Sequence, residues 1–142
     1  MSQLSVSYGI LNDKSWKSNN NNTNSITHIL PITKIISLTN FYLTISRDGS
    51  IIWHDLLNPL KNLKLQIHSD WISDILYLYS LDNDHHNYFI SVSHDFSINL
   101  IHIYSTLTND WKWDSKIIGY HQDYIKCISK LNGNTFVTTG LD

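Results

Sequence analysis

One seven-residue pattern occurs three times in this chain at an even spacing: aromatic, aliphatic, hydroxyl, any residue, small, any residue, aspartate. The copies are Tyr42-Leu43-Thr44-Ile45-Ser46-Arg47-Asp48, Phe89-Ile90-Ser91-Val92-Ser93-His94-Asp95 and Phe136-Val137-Thr138-Thr139-Gly140-Leu141-Asp142. Their aspartates fall at 48, 95 and 142, a spacing of 47 each time. A fixed period of this length means a tandem array of small units that bury their apolar faces against one another, not one closed domain.

A second pattern keeps step with the first. His68-Ser69-Asp70-Trp71-Ile72-Ser73-Asp74-Ile75 matches His121-Gln122-Asp123-Tyr124-Ile125-Lys126-Cys127-Ile128 under the template H-x-D-[WY]-I-x-x-I. The distance from each histidine to its aspartate differs between the two copies, and the polar insert Leu81 to Asn87 accounts for the difference. Insertions of that kind are tolerated in surface loops. The period is close to the roughly 40–45 residues of a WD-repeat blade. The expected fold is therefore all-β, a WD-repeat β-propeller that is incomplete at about two and a half blades, with the third unit stopping at its second hairpin turn.

Composition agrees with strands. The chain contains no alanine and no glutamate, so two strong helix formers are missing, while Ile, Tyr, Trp, Phe and Thr are abundant. Hydrophobic residues make up 42% and charged ones 15%, which suits a chain that buries a core. The net charge of −2 and the lack of any basic run leave no electrostatic footprint for nucleic acid. The single cysteine, Cys127, supports neither an intramolecular disulfide nor a zinc cluster. No signal peptide and no apolar stretch near 20 residues is seen, so an intracellular protein, cytoplasmic or nuclear, without membrane attachment is expected.

Along the chain, residues 1–24 read as an N-terminal strand, Leu4 to Ile10, followed by an Asn-rich disordered loop. Residues 25–142 read as the repeats. Strands are expected at Ile26 to Leu30, at Ile35 to Leu38 or Tyr42 to Ser46, and at Ser50 to His54 after the tight Asp48-Gly49 turn. The second unit repeats the order with Trp71 to Tyr79, Tyr88 to Ser93, Ser97 to Tyr104 and an outer strand Lys116 to Tyr120.

The recurrent polar residues have a structural reading. A carboxylate in the turn between the second and third strands can hold the loop that leads into the first strand by accepting from its histidine. Such a charge-assisted bond is worth about 1.5–3 kcal/mol. His68 is expected to pair with Asp95 and His121 with Asp142, with Asp48 in the same role in the first unit. A hydroxyl from Ser91 or Ser93 would accept from the second ring nitrogen. Trp53 is expected to complete the first network, although His54 stands at the usual spacing; Ile101 occupies that place in the second unit.

Catalysis finds little support. Ser93-His94-Asp95 holds the residue types of a hydrolytic triad, but neighbours on a strand point to opposite faces. The histidines at 85, 86, 94 and 102 lack thiol or acidic partners at a regular spacing and read as solvated. No cofactor, no metal and no enzymatic activity are expected. Arg47, His94 and Leu141 each precede a turn aspartate; with Asp70 and Asp123 on the lead-in loops, Arg47 and His94 are candidate protein contacts. Trp71 and Tyr124, which head apolar periods, read as core.

Several stretches together resemble the start of the WD-repeat deubiquitinase-cofactor family, that of the ubiquitin-specific-protease-associated factor and its fungal relatives. They are Val6-Ser7-Tyr8, Ser46-Arg47-Asp48 with Ser50-Ile51-Ile52-Trp53, His68 to Ile75, Ser91 to Asp95, His121 to Lys126 and Thr139 to Asp142. The resemblance implies a non-catalytic propeller that binds ubiquitin-specific proteases and raises their activity, with ubiquitin as a further partner. Much of the protease-binding surface would then lie beyond Asp142, and Val6-Ser7-Tyr8 would help to close the ring. The alternatives are an unrelated WD-repeat scaffold and, in another class, a small β-rich enzyme or metal protein.

Overall fold

A computed structural model describes residues 26–133 and 135–142. The expected closing strand and Asn-rich loop lie outside the described residues. Among the described residues, ten strands form three antiparallel sheets in chain order. The first sheet is β1 (Ile32–Ser37), β2 (Phe41–Ser46), β3 (Ser50–Asp55) and β4 (Leu63–Gln66), joined in that order. The second is β5 (Ile72–Leu81), β6 (His86–Ser93), β7 (Ser97–Ser105) and β8 (Trp111–Tyr120), and the third is β9 (Ile125–Asn132) with β10 (Thr135–Gly140). A 3-10 turn at Pro59–Lys61 bridges β3 and β4.

Three expectations about elements are corrected. The first strand is Ile32–Ser37, because Ile26 to Leu30 turns across the mouth of the β2–β3 hairpin and carries no sheet pairing. The insert at Leu81 to Asn87 is not a long loop. Leu81 still pairs with His86 and Ser80 with Asn87, so only the tip turns, with Asp82, Asn83 and Asp84 all at positive φ, where short polar side chains bond locally. The outer strand of the second blade starts at Trp111, not Lys116, since Trp111 and Trp113 pair with Ser105 and Ile103.

The blades stack face to face, so their middle strands are buried on both sides. Blade one contributes Leu43, Ile45, Ile51, Trp53 and Leu65 to a core shared with Ile72, Ile75, Phe89, Ile101 and Ile103 of blade two. The alternate face of blade two, with Ile90, Val92 and Ile98, packs on Ile125 and Ile128 of the third sheet. Period-two alternation thus sends one strand's side chains into two different cores.

Polar bonds pin the blades together at one repeat position. The Thr33 hydroxyl donates to the carbonyl of Ile72 at 2.8 Å, and that of Ser73 donates to the carbonyl of Ile125 at 2.5 Å. Asp74 works in both directions, accepting from Lys34 Nζ at 2.6 Å and from the Ile128 N–H at 3.1 Å. Trp111 reaches back from blade two, stacking edge-on to Phe41 and donating its Nε1–H to Asp55 at 3.0 Å.

Candidate functional site

The β2–β3 and β6–β7 turns, the end of β10 and the loops leading into the blades meet at one rim. His68 lies on the lead-in to β5, its backbone N–H donating to the carbonyl of Gly49 in the preceding blade's turn. His121 does the same to Phe96. Gly49 sits at φ 77, which favours glycine, and a Cβ there would lie 2.2 Å from the His68 carbonyl oxygen, so the lack of space is what excludes a side chain. Phe96 takes the same place in blade two at φ 71.

The structure brings the expected pairs together. His68 Nδ1 lies 2.9 Å from Asp95, and His121 Nδ1 lies 2.7 Å from Asp142. The other ring nitrogens meet Ser91 and Thr138, each at 2.8 Å. Ser93 does not touch the histidine: as the small residue of the pattern it bonds the Asp70 carbonyl and accepts from the Asp95 N–H, holding the turn. The sense of the hydroxyl bond also differs from expectation. With a neutral ring whose Nδ1–H faces the carboxylate, Nε2 is an acceptor and Ser91 is the donor.

Asp48 has a histidine partner that the sequence reading passed over. His28 Nδ1 is 2.9 Å from the Ser50 hydroxyl and 3.4 Å from Asp48, while its Nε2 is 2.8 Å from Thr44. The signal was present as H-x-x-x-I-x-x-I, which His28, Ile32 and Ile35 satisfy along with the other two copies. The missing Asp and aromatic at the third and fourth positions hid it. The first network is completed by His54, not Trp53. His54 Nε2 lies 3.0 Å from Thr44, so a relay runs from His54 through Thr44 to His28, Ser50 and Asp48. Trp53 points instead into the interblade core, stacked on Phe41 at 4.6 Å, and its Nε1 has no partner among the described residues.

Serines after the turn, Ser50 and Ser97, each donate to their aspartate at 2.6 Å. Burial by itself would raise the Asp48 carboxyl, but bonds from the Ser50 hydroxyl and the Ile29 and Ser50 N–H groups bring it to about 2. Asp95 is lowered by the same balance, with His68 adding its share. Burial outweighs the aspartates for the rings and lowers both His28 and His68. His54 falls to about 4 through burial and the nearby His28.

Beside these anchors runs a strip of rings, exposed at Trp71 and Tyr124 and half-buried at His94. The Arg47 guanidinium lies 4.0 Å above the Trp71 ring, Trp71 stacks on His94 at 5.1 Å, and His94 stacks on Tyr124 at 4.7 Å. Phe96 and Lys126 border Tyr124. Trp71 is 36% exposed and Tyr124 40%, which corrects their assignment to the core. Each precedes the first strand rather than opening it, so its ring lies on the rim while Ile72 and Ile125 go inside. Asp70 and Asp123 turn their carboxylates onto the N–H groups of Trp71 and Tyr124, each at 2.7 Å, and so set the angle of those rings.

The remaining histidines separate by element. His94 belongs to the strip, apart from the network that Ser93 and Asp95 serve, so those three neighbours form no triad. His86 and His102 meet across the β6–β7 hairpin. A cleft of about 260 Å³ lies between blades one and two, lined among others by Asp55, Lys61, His85 and Trp111.

Repeated antiparallel blades, each held by a histidine, a hydroxyl and a turn aspartate, define an open WD-repeat propeller array. No protein-family model matches the chain. Similar solved structures include the computationally designed Ika4 protein, at 13% identity over 82% of this chain and 89% of that one, TM-score 0.46. Others are U3-55K, at 16% identity over 80% and 47% with TM-score 0.38, and the RRP9 WD40 repeats, at 17% over 80% and 46% with TM-score 0.39. The chain spans less than half the length of the latter two. At these scores the fold rests on the blades and their networks.

Proposed function

We propose that this chain is a non-catalytic WD-repeat scaffold that acts through protein contacts at the rim. The observation carrying this reading is the strip from Arg47 through Trp71 and His94 to Tyr124, where large aromatic and cationic side chains stand exposed on rigid turns. Such groups supply most of the energy in protein interfaces, each stacked or cation–π contact adding about 0.5–1.5 kcal/mol beyond area burial. The finer reading is a cofactor that binds a ubiquitin-specific protease, raises its activity and takes part in deubiquitination, with ubiquitin itself as a further partner. It is supported by the order of Asp70-Trp71-Ile72-Ser73-Asp74, Asp123-Tyr124-Ile125-Lys126 and Gly140-Leu141-Asp142 along the chain.

The test is hydrolysis of a fluorogenic ubiquitin substrate by ubiquitin-specific proteases, with and without the chain. Stimulation that Arg47→Glu with Trp71→Ala abolishes supports the cofactor reading. Saturable binding to another protein, lost in the same double variant and without stimulation, makes the chain a WD-repeat scaffold of a different pathway. Retention of every partner by the double variant removes the strip as the contact surface.

A further inference from the structure

The rim strip meets a partner with edges and charges, because its ring faces are largely taken. The Arg47 guanidinium lies over Trp71 at 4.0 Å, and Trp71 and Tyr124 stack on His94 at 5.1 and 4.7 Å. Lys126 stands 5.9 Å from the Tyr124 ring centre, with Phe96 at 5.6 Å. Flat groups packed that closely cover one another's faces. Little is left of the open aromatic face on which the bases of a single-stranded nucleic acid would stack.

What the strip turns outward is a row of hydrogen-bond donors. The Arg47 guanidinium, the Lys126 ammonium and the Trp71 indole N–H only donate, and the Tyr124 hydroxyl can donate. All four side chains are exposed, and none has a hydrogen-bond or ion-pair partner among the described residues. The rim's carboxylates, by contrast, are engaged. Asp70 and Asp123 accept from the N–H groups of Trp71 and Tyr124, and Asp95 and Asp142 from His68 and His121. Burial and then the Lys126 charge push the His94 ring below the ordinary histidine value, with Asp70 opposing and Arg47 adding, so both cations act at the middle of the strip.

We propose that the strip takes an acidic, extended segment of a partner protein, whose Asp or Glu carboxylates accept from Arg47 and Lys126 at its ends and from the Trp71 indole and Tyr124 hydroxyl between them. An extended segment sends every second side chain to one face, about 7 Å apart, so carboxylates at alternate positions run along such a row. Carboxylates supply only acceptors when ionised, which is the complement of a surface of unpaired donors, and bonds to them from cations are the stronger kind. This inference rests on the reading of the strip as the contact surface and adds the chemistry of its occupant.

The test is fluorescence anisotropy of the full chain with a labelled peptide of alternating glutamate and serine, against glutamine–serine and lysine–serine peptides of equal length and an oligouridylate. Saturable binding of the glutamate peptide alone, weakening as salt rises, is expected. Arg47→Gln and Lys126→Gln should each weaken it about twofold to fivefold, the range of an exposed ion pair. Trp71→Phe and Tyr124→Phe, which keep the rings and remove only the donors, should each weaken it about twofold to fivefold. Lys116→Gln, a cation on β8 outside the strip, should leave it unchanged. In the wild-type chain the Trp71 indole N–H resonance should shift on titration while that of buried Trp53 stays, a readout that needs no variant to fold. Equal binding of the glutamine peptide, preference for the lysine peptide or the oligouridylate, a still Trp71 resonance, or glutamate binding indifferent to all four strip variants would overturn the proposal. No peptide binding, while Arg47→Glu with Trp71→Ala still abolishes partner capture, overturns the acidic occupant alone and leaves the strip as the contact surface; a partner retained by that double variant overturns both.

Discussion

At the scale of single residues, the rim is held by groups whose loss leaves a partner stranded. His68 is the clearest, being buried between Asp95 and Ser91. His68→Ala should cost about 2–3 kcal/mol, since the Asp95 carboxylate loses its ring donor and Ser91 its acceptor. Chemical denaturation of the chain checks this, and a change under about 0.5 kcal/mol would remove the network from the account of stability. Gly49→Ala should cost about 1–3 kcal/mol from the left-handed backbone alone, and more from the collision with the His68 carbonyl. Trp53 and His54 show what residue spacing conveys. Only His54 lies six residues beyond its aspartate, on the face of β3 that meets Thr44, whereas Trp53 faces the opposite way into the core. An expectation built on indole chemistry chose the wrong face; strand alternation would have chosen the right one.

At the scale of elements, strand β5 is the hinge of the assembly, because it joins the third sheet to the first. Ser73→Ala removes the 2.5 Å bond to the Ile125 carbonyl and the 3.1 Å bond to Val92. Faster amide exchange is expected in β9 and β10, with β2 and β3 unchanged, by hydrogen exchange with mass spectrometry. Uniform acceleration of all three sheets would mean that the bond stabilises the whole fold instead. Trp111→Phe keeps the ring beside Phe41 but leaves the Asp55 carboxylate, among the described residues, with its bonds from the Leu57 and Asn58 N–H groups alone, and should cost about 1–2 kcal/mol in thermal unfolding. Neither link could be read from periodicity, since both join residues more than 50 positions apart or in different sheets. The hairpins themselves were legible: the turns at Asp48 and Asp95 and the strands flanking them follow from alternation and turn chemistry. Unit one was harder, as its lead-in loop lacks the aspartate and aromatic that mark the other two.

At the scale of the whole molecule, the buried rings couple stability to pH. Folded His28, His54 and His68 hold protons less tightly than an ordinary histidine, so the unfolded chain binds more protons between that range and their lowered values. Their stabilisation is complete above about pH 6.5 and is lost as pH falls, for His54 down to about 4. Asp48 adds a second loss as pH falls below the usual carboxylate range toward about 2. Melting temperature should therefore decline in two stages on acidification, and His54→Gln should shrink the first; a profile flat from pH 7 to 4 would contradict the assignment. The sequence by itself determined the β class, the 47-residue beat, the array of blades and two of the three histidine–aspartate pairs, because these are local patterns repeated in register. Only the tertiary structure decided which rings face water on the rim, which indole fills the core and which histidines meet across a hairpin. Those outcomes depend on how one blade's face is laid against the next, and strand alternation fixes two faces without saying what covers either.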